Sequence, residues 1–161
     1  MIMKNVISLK RLLTELAPLR KAGRKVAFTN GCFDIIHAGH VRYLTKARAF
    51  GDILVVGINS DASVRAIKGS DRPIVPEAER AEVLSALRCV DYVVIFNDET
   101  PLRLISALKP DILVKGADWA AHEIVGGGVV KAGGGVVRRV RLLKGRSTTN
   151  IIKKILTLHK G

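Results

Sequence analysis

The chain has 161 residues, a length typical of one domain with one hydrophobic core. Hydrophobic residues make up 48% and charged residues 25% of it, which excludes intrinsic disorder. No apolar run reaches the ~18 to 20 residues of a membrane span, and the N-terminus lacks a secretory signal. We therefore expect no membrane partner. Because the two cysteines, Cys32 and Cys89, are too few for a disulfide framework, we also expect a cytoplasmic protein.

The net charge of +13 is concentrated at the two ends of the chain. Residues 124–161 contain nine Lys and Arg and no acid, whereas residues 26–123 contain eleven against thirteen acids. Such an excess is typical of a solvated face, and it can also attract anionic lipid, a phosphorylated substrate or nucleic acid. Aromatic residues make up only 4% and do not interleave with the C-terminal charges, so stacking platforms for bases are missing and nucleic acid is not the expected partner. A nucleic-acid-binding module with an idle core remains the alternative of a different class.

Apolar spacing predicts strands and helices that alternate along the chain. Leucines three and four residues apart predict an amphipathic helix from Ser8 to Lys21. Short apolar runs predict buried strands over residues 26–29, 53–58, 92–96 and 112–114. Residues 136–142, in which arginines alternate with apolar residues, predict an edge or late strand that leads into a loop. Further helices are predicted over residues 39–50, after Asp61, over 76–87, over 101–108 with Thr100 as N-cap, over 124–132 and from Ser147.

This alternation predicts a single α/β domain with a doubly wound, Rossmann-like parallel sheet of about five strands. Ligands bind such folds outside the carboxyl ends of the strands. We therefore expect the site in the loops that follow Thr29, Ile58, Phe96, Val114 and Leu142.

The loop of residues 29–40, TNGCFDIIHAGH, brings two histidines to the start of a helix. A helix N-terminus attracts phosphate, and imidazole groups beside it add hydrogen-bond donors. His37 and His40 therefore predict a phosphate site. A zinc site on Cys32, His37 and His40 is the weaker alternative, because it needs a further ligand.

Two other features also suggest phosphate contacts. Gly31 and Gly39 would let the backbone approach a ligand closely. Residues 147–149 are three consecutive hydroxyl residues at the predicted start of the last helix, which would give a second anion site at a helix terminus.

The segment GCFDIIHAGH resembles the HxGH signature of the cytidylyltransferase-like nucleotidyltransferase superfamily. Other segments match motifs of that superfamily: KGSDRP at 68–73, Arg80, VKGADW at 114–119 and STTNII at 147–152. Within the superfamily, the pattern is most similar to the heptose 1-phosphate adenylyltransferases, which make ADP-heptose.

The resemblance implies a division into an N-terminal helix, residues 1–25, and a nucleotidyltransferase domain, residues 26–161. It also implies that an oxygen of D-glycero-D-manno-heptose 1-phosphate attacks the α-phosphorus of ATP and that pyrophosphate leaves, without a covalent enzyme intermediate. The residues with expected catalytic roles are His37, His40, Lys68 and Arg72. The residues expected to bind the nucleotide are Thr29, Asn30, Gly31, Phe33, Gly39, Lys115, Gly116, Asp118, Ser147, Thr148 and Thr149. The residues expected to bind the sugar phosphate are Asp34 and Arg80.

The resemblance further implies Mg²⁺ that accompanies ATP without named protein ligands, and a homodimer. In some relatives this domain is fused to a sugar kinase, and because 161 residues leave no room for one, we expect the kinase to be a separate protein. The alternative within the superfamily is a polyol-phosphate cytidylyltransferase of the glycerol-3-phosphate type. That branch also has an STT helix start, but usually with an arginine upstream, where this chain has Leu142 and Leu143.

Overall fold

The structure, a computed structural model, describes residues 5–118, 120, 122–143, 145 and 147–158. Trp119 of the VKGADW segment and the first four residues of the predicted N-terminal helix region lie outside the described residues. The helices are α1 (Leu9–Lys21), α2 (Ala38–Arg48), α3 (Asp61–Lys68), α4 (Glu77–Ser85), α5 (Leu102–Leu108), α6 (Gly127–Ala132) and α7 (Thr148–Leu158). The strands are β1 (Val26–Gly31), β2 (Ile53–Asn59), β3 (Tyr92–Phe96), β4 (Ile112–Gly116) and β5 (Val136–Val140).

The five strands form one parallel sheet in the order β3-β2-β1-β4-β5. From β1 the chain adds strands first on one side and then, from β4 onward, on the other. This order confirms the predicted doubly wound fold, and it puts the reversal of strand order between β1 and β4.

Helices cover both faces of the sheet over β1 to β4, which explains why these strands are mostly apolar, whereas β5 at the edge is largely exposed and carries Arg138 and Arg139. Phe28 and Val55 face one core layer, with Leu12 and Leu16 of α1. Alternate strand residues face the second layer, which includes Leu44 of α2 and Leu84 of α4. Because side chains alternate across a strand, a strand buried on both sides needs apolar residues at every position.

The ends of several elements differ from their predicted positions. β1 includes Asn30 and Gly31, which were predicted as a turn, because both stay in register with β2. β4 extends to Gly116, whereas β5 ends at Val140, before Leu142. The prediction of Thr100 as an N-cap is wrong, because Pro101 occupies the cap position and no side chain caps α5.

Other helix termini follow the predicted capping chemistry. The hydroxyl of Ser8 accepts a hydrogen bond from the N–H of Arg11 at the start of α1. The hydroxyl of Ser147 accepts from the N–H of Asn150 at the start of α7. The glycine-rich helix α6 ends at Gly133 as predicted. None of the helices in the described part of the chain is long and apolar enough to cross a membrane.

Candidate nucleotide site

The two central strands part at their carboxyl ends. The register of β1 with β4 covers only Ala27 with Ile112 and Phe28 with Leu113. Beyond this point β1 pairs with β2 as far as Gly31, and β4 pairs with β5 as far as Gly116. The divergence opens a crevice where parallel α/β sheets bind ligands.

A pocket of about 370 Å³ occupies this crevice. It brings together all of the predicted site residues except Thr29 and Arg80. Four further residues line it that were not predicted as site residues: Cys32, Tyr43, Leu142 and Leu143.

The two histidines lie at the first turn of α2. His37 is the N-cap residue, and its Nδ1 accepts a hydrogen bond from the N–H of Gly39 at 3.1 Å. In a neutral ring, an accepting Nδ1 assigns the proton to Nε2, so His37 presents an N–H donor. The rings of His37 and His40 stack with their centroids 3.9 Å apart.

His40 is held as a neutral ring. Burial lowers its pKa to about 4, and repulsion from His37, when that ring is protonated, and from Lys68 acts in the same direction. Its Nδ1 is buried and has no hydrogen-bond partner among the described residues. The ring of Phe33 packs edge-on against it at 5.4 Å. His40 is therefore an uncharged group in a site rich in cations.

Phe33 explains why position 31 is glycine. A Cβ at Gly31 would lie 3.1 Å from the Phe33 ring, so the glycine makes room for this side chain. Phe33 itself has a φ of 47°, which a bulky residue rarely adopts. The close approach predicted at Gly31 is thus to Phe33, which supports His40.

Asp34 organises the loop that carries Arg72. Its carboxylate is almost fully buried and accepts hydrogen bonds from the backbone N–H groups of Ile74 and Val75 at 2.9 Å, and from Arg72 Nε at 2.7 Å. Burial raises the pKa of Asp34, but the two backbone donors and Arg72 outweigh it, so the pKa lies below its ordinary value. Asp34 therefore holds the cation Arg72 against the pocket.

Lys115 and Asp118 form the opposite wall. Lys115 Nζ donates to Asn30 Oδ1, which joins the ends of β4 and β1. Burial lowers the pKa of Lys115 to about 8, although Asp118 opposes the shift. A Cβ at Gly116 would displace Asp118 Oδ1, so glycine at this position leaves room for the carboxylate to fold back.

The N-terminus of α7 closes the third side of the pocket. Thr148 Oγ1 donates to the carbonyl oxygen of Ile35 at 3.3 Å, which fixes this helix against the loop between β1 and α2. Ser147, Thr148 and Thr149 all line the pocket. Two helix N-termini, those of α2 and α7, thus meet at one cavity.

Thr29 and Arg80 lie behind the pocket wall. Thr29 is fully buried, and its hydroxyl lies 2.8 Å from that of Tyr43, so it reaches the site only through Tyr43. Arg80 is 1% exposed and donates to the carbonyl oxygens of Cys32, Asn59 and Val75 and to Asp61. Arg80 therefore joins the ends of β1 and β2 to the loop of Arg72, and a direct contact with a sugar phosphate does not follow from this position.

The metal chemistry of the site is limited by its donors. No group of three or more His, Cys, Asp or Glu among the described residues could hold a metal ion, so the zinc alternative has no support. Asp118 is the one carboxylate lining the described pocket besides Asp34, which is paired with Arg72. These residues fit Mg²⁺ that binds mainly through substrate phosphates and water.

A second groove continues from the pocket along α2. It has a volume of about 500 Å³ and shares Gly39, Tyr43, Leu142 and Leu143 with the pocket. Its lining is mainly apolar, with Arg42, Lys46 and Arg141 among its residues. Residues after β5 thus contribute to both cavities.

Comparison with known proteins identifies the family. The sequence pattern of the Cytidylyltransferase-like family matches residues 28–154, so the chain belongs to that family. This confirms the predicted resemblance, and the class is that of α/β nucleotidyltransferase domains.

The chain is also similar to particular proteins of that class. It is 58% identical over 149 residues to the bifunctional protein HldE of Geotalea uraniireducens, and 60% identical over 134 residues to that of Geobacter metallireducens. These matches cover 90% and 83% of this chain but only 30% and 27% of those proteins, so the chain spans less than a third of their length. A lipopolysaccharide core biosynthesis protein from Thermoplasma volcanium has a similar structure, with a TM-score of 0.63 and 30% identity over 77% of this chain and all of that one.

Proposed function

We propose that this chain is an adenylyltransferase that transfers AMP from ATP to D-glycero-D-manno-heptose 1-phosphate, giving ADP-heptose and pyrophosphate. The observation that carries the proposal is the meeting of two helix N-termini, the His37–His40 pair and the cations Lys68, Arg72 and Lys115 at one pocket. Helix N-termini and cations together bind polyphosphate. The similarity to HldE proteins favours the heptose phosphate as acceptor.

The nucleotide phosphates would lie between the starts of α2 and α7. There His37 Nε2–H, His40, Lys115 and the hydroxyls of Thr148 and Thr149 would hydrogen-bond them. The base would extend over Gly39 into the groove against Leu142 and Leu143, which offers a purine an apolar surface.

The acceptor phosphate would approach from the side of Lys68 and Arg72. Its nucleophilic oxygen attacks the α-phosphorus of ATP, and the bond between that phosphorus and the oxygen bridging to the β-phosphorus breaks. Because a sugar phosphate is already ionised near neutral pH, the step needs no general base. This agrees with a neutral His40 that hydrogen-bonds the reacting phosphate instead of accepting a proton. Mg²⁺ bound with ATP would neutralise charge on the phosphates.

The supply of the sugar 1-phosphate, the oligomeric state and the compartment are also part of the proposal. A sugar kinase must supply the 1-phosphate, and we propose that this chain acts as a homodimer in the cytoplasm. The two cysteines are free thiols, in keeping with a reducing compartment.

The proposed reaction can be followed by ³¹P NMR of the protein with ATP, Mg²⁺ and heptose 1-phosphate. Two coupled resonances of a nucleoside diphosphate sugar are expected, together with a separate pyrophosphate signal. Incubation with ATP labelled at the α-phosphorus and no acceptor tests direct displacement, since labelled protein would contradict it.

A further inference from the structure

The hydroxyl of Tyr43 lies where the pairing of β1 and β4 ends. Their register stops at Phe28 and Leu113, and the next residue on each strand is Thr29 or Val114. Tyr43 Oη lies 2.8 Å from Thr29 Oγ1 and 3.1 Å from the carbonyl oxygen of Val114. A side chain of α2 thus bridges the two strands one residue beyond their last pair.

The direction of these hydrogen bonds can be assigned. Tyr43 donates its single hydroxyl proton to the Val114 carbonyl oxygen, so the Thr29 hydroxyl must donate to Tyr43 Oη. Thr29 and Val114 are fully buried and Tyr43 is 9% exposed. Burial raises the pKa of Tyr43 to about 12, which keeps the phenol protonated. Among the described protein atoms, the bridge is therefore a continuous chain of two hydrogen bonds, from Thr29 to Tyr43 and from Tyr43 to Val114.

The bridge adjoins residues that face the pocket. Thr29 precedes Asn30, and Val114 precedes Lys115, whose ammonium donates to Asn30. Tyr43 lies three residues after His40, on the same side of α2. One hydroxyl therefore connects the three elements that carry Asn30, Lys115 and His40.

We infer that Tyr43 is a positioning residue: its hydroxyl fixes the spacing of β1, β4 and α2 around the crevice and so aligns His40 with Lys115. The inference rests on the proposed function for its kinetic consequences. Loss of the hydroxyl alone leaves the packed ring in place but removes the bridge, so the strands part further and more water reaches Lys115, which is only partly exposed in the parent. Because a misplacement of about 1 Å can cost up to about 100-fold in rate, a loss of roughly 10-fold in kcat is expected with little change in KM.

Tyr43→Phe is the test, and the chain offers a matched control. Tyr92, its other tyrosine, lies at the start of β3 and lines a separate cleft at the amino ends of the strands. Tyr92→Phe should keep kcat within about twofold of the parent, as a substitution away from the site does. Thr29→Val removes the second member of the bridge, and the double variant should be no slower than Tyr43→Phe because both substitutions break one connection.

A readout independent of turnover is the titration of Lys115, followed by NMR of its ¹³Cε. The pKa of Lys115, about 8 in the parent, should rise toward 10.5 in Tyr43→Phe and stay in place in Tyr92→Phe, because entering water relieves the burial that depresses it. A role in stability alone would not move it.

The two results separate the inference from the proposed function. A Tyr43→Phe variant with the kcat and Lys115 pKa of Tyr92→Phe would overturn the role of Tyr43. If Tyr43→Phe fails to fold, Thr29→Val decides by the same two measurements. If the parent turns over no acceptor, the proposed function fails, and the Lys115 titration by itself decides the role of the bridge.

Discussion

His37 and His40 stack with their ring centroids 3.9 Å apart and their planes inclined by 28°. Their three-residue spacing would place them near each other on any helix, but the N-cap position of His37 determines how they meet. Its Nδ1 accepts from Gly39, so the ring turns back over the first turn of α2. The pair therefore presents two imidazoles to the place where a helix N-terminus attracts phosphate.

The first prediction concerns His40. His40→Ala should stay folded and lose on the order of 100-fold in kcat, because one preorganised donor at a reacting phosphate contributes about 3 kcal/mol. Steady-state kinetics alongside circular dichroism would measure both properties. His122→Ala, an exposed histidine outside the pocket, is the control and should keep its activity. A folded His40→Ala with parental turnover would remove His40 from the reaction.

The second prediction concerns stability against pH. Burial holds the pKa of His40 at about 4 in the folded chain, against 6.5 for an ordinary histidine. Between these two pH values the unfolded state therefore binds more protons than the folded state. The contribution of the neutral His40 to the free energy of unfolding is thus complete above pH 6.5 and is lost as pH falls toward 4. The two pKa values by themselves correspond to about 2 kcal/mol between pH 7 and 5. Because solvent screens this partly exposed ring, the parent should lose about 1 kcal/mol more in free energy of unfolding over this range than His40→Ala does. Equal losses in denaturant titrations would contradict a depressed pKa.

The third prediction concerns the alkaline limb of activity. Lys115 must be charged to hold phosphate, and its pKa is about 8 in the free protein. The value of kcat/KM for ATP should therefore fall above pH 8, because this quantity reports the free enzyme. Lys115→Arg should move the fall to higher pH, since a guanidinium stays charged. If the fall in kcat/KM stays at the same pH in this variant, the titrating group is not Lys115.

The fourth prediction concerns Asp34. Asp34→Asn leaves Arg72 without its charged partner and weakens the hydrogen bonds from Ile74 and Val75. Breaking a buried ion pair typically costs about 3 to 5 kcal/mol, and the KM for the acceptor should rise more than the KM for ATP. Asp98→Asn is the control, because its pair with Arg103 is exposed and contributes little. Equal stability in the two variants would show that Asp34 does not organise this loop.

Much of this fold could be predicted from the sequence because β1 to β4 are mostly buried on both faces. A continuous apolar run followed by a predicted helix is typical of a buried strand in a parallel α/β sheet. In such a sheet the ligand crevice lies at the carboxyl ends of the strands, where the strand order reverses. Strand ends were harder to predict, because Asn30 and Gly31 resemble a turn although β2 keeps them in register.

The site was predicted where local chemistry is visible in the sequence, and missed where tertiary contacts decide. His37, His40 and the hydroxyls after β5 lie at helix starts, which the sequence reveals. Tyr43 occupies an apolar position of α2 and is typical of a core residue, so only the folded chain shows its hydroxyl between two strands. From the sequence, Arg80 resembles a surface cation. Only the folded chain shows that four hydrogen-bond acceptors from separate segments surround its guanidinium.

The most direct test of the central claim is pyrophosphate release with Mg²⁺ and heptose 1-phosphate, measured in parallel with ATP and CTP, with His40→Ala as the blank. Release with ATP and only background with CTP is the predicted result. Release with CTP and glycerol 3-phosphate, but not with ATP and the heptose phosphate, would contradict the adenylyltransferase assignment and favour the polyol-phosphate cytidylyltransferase.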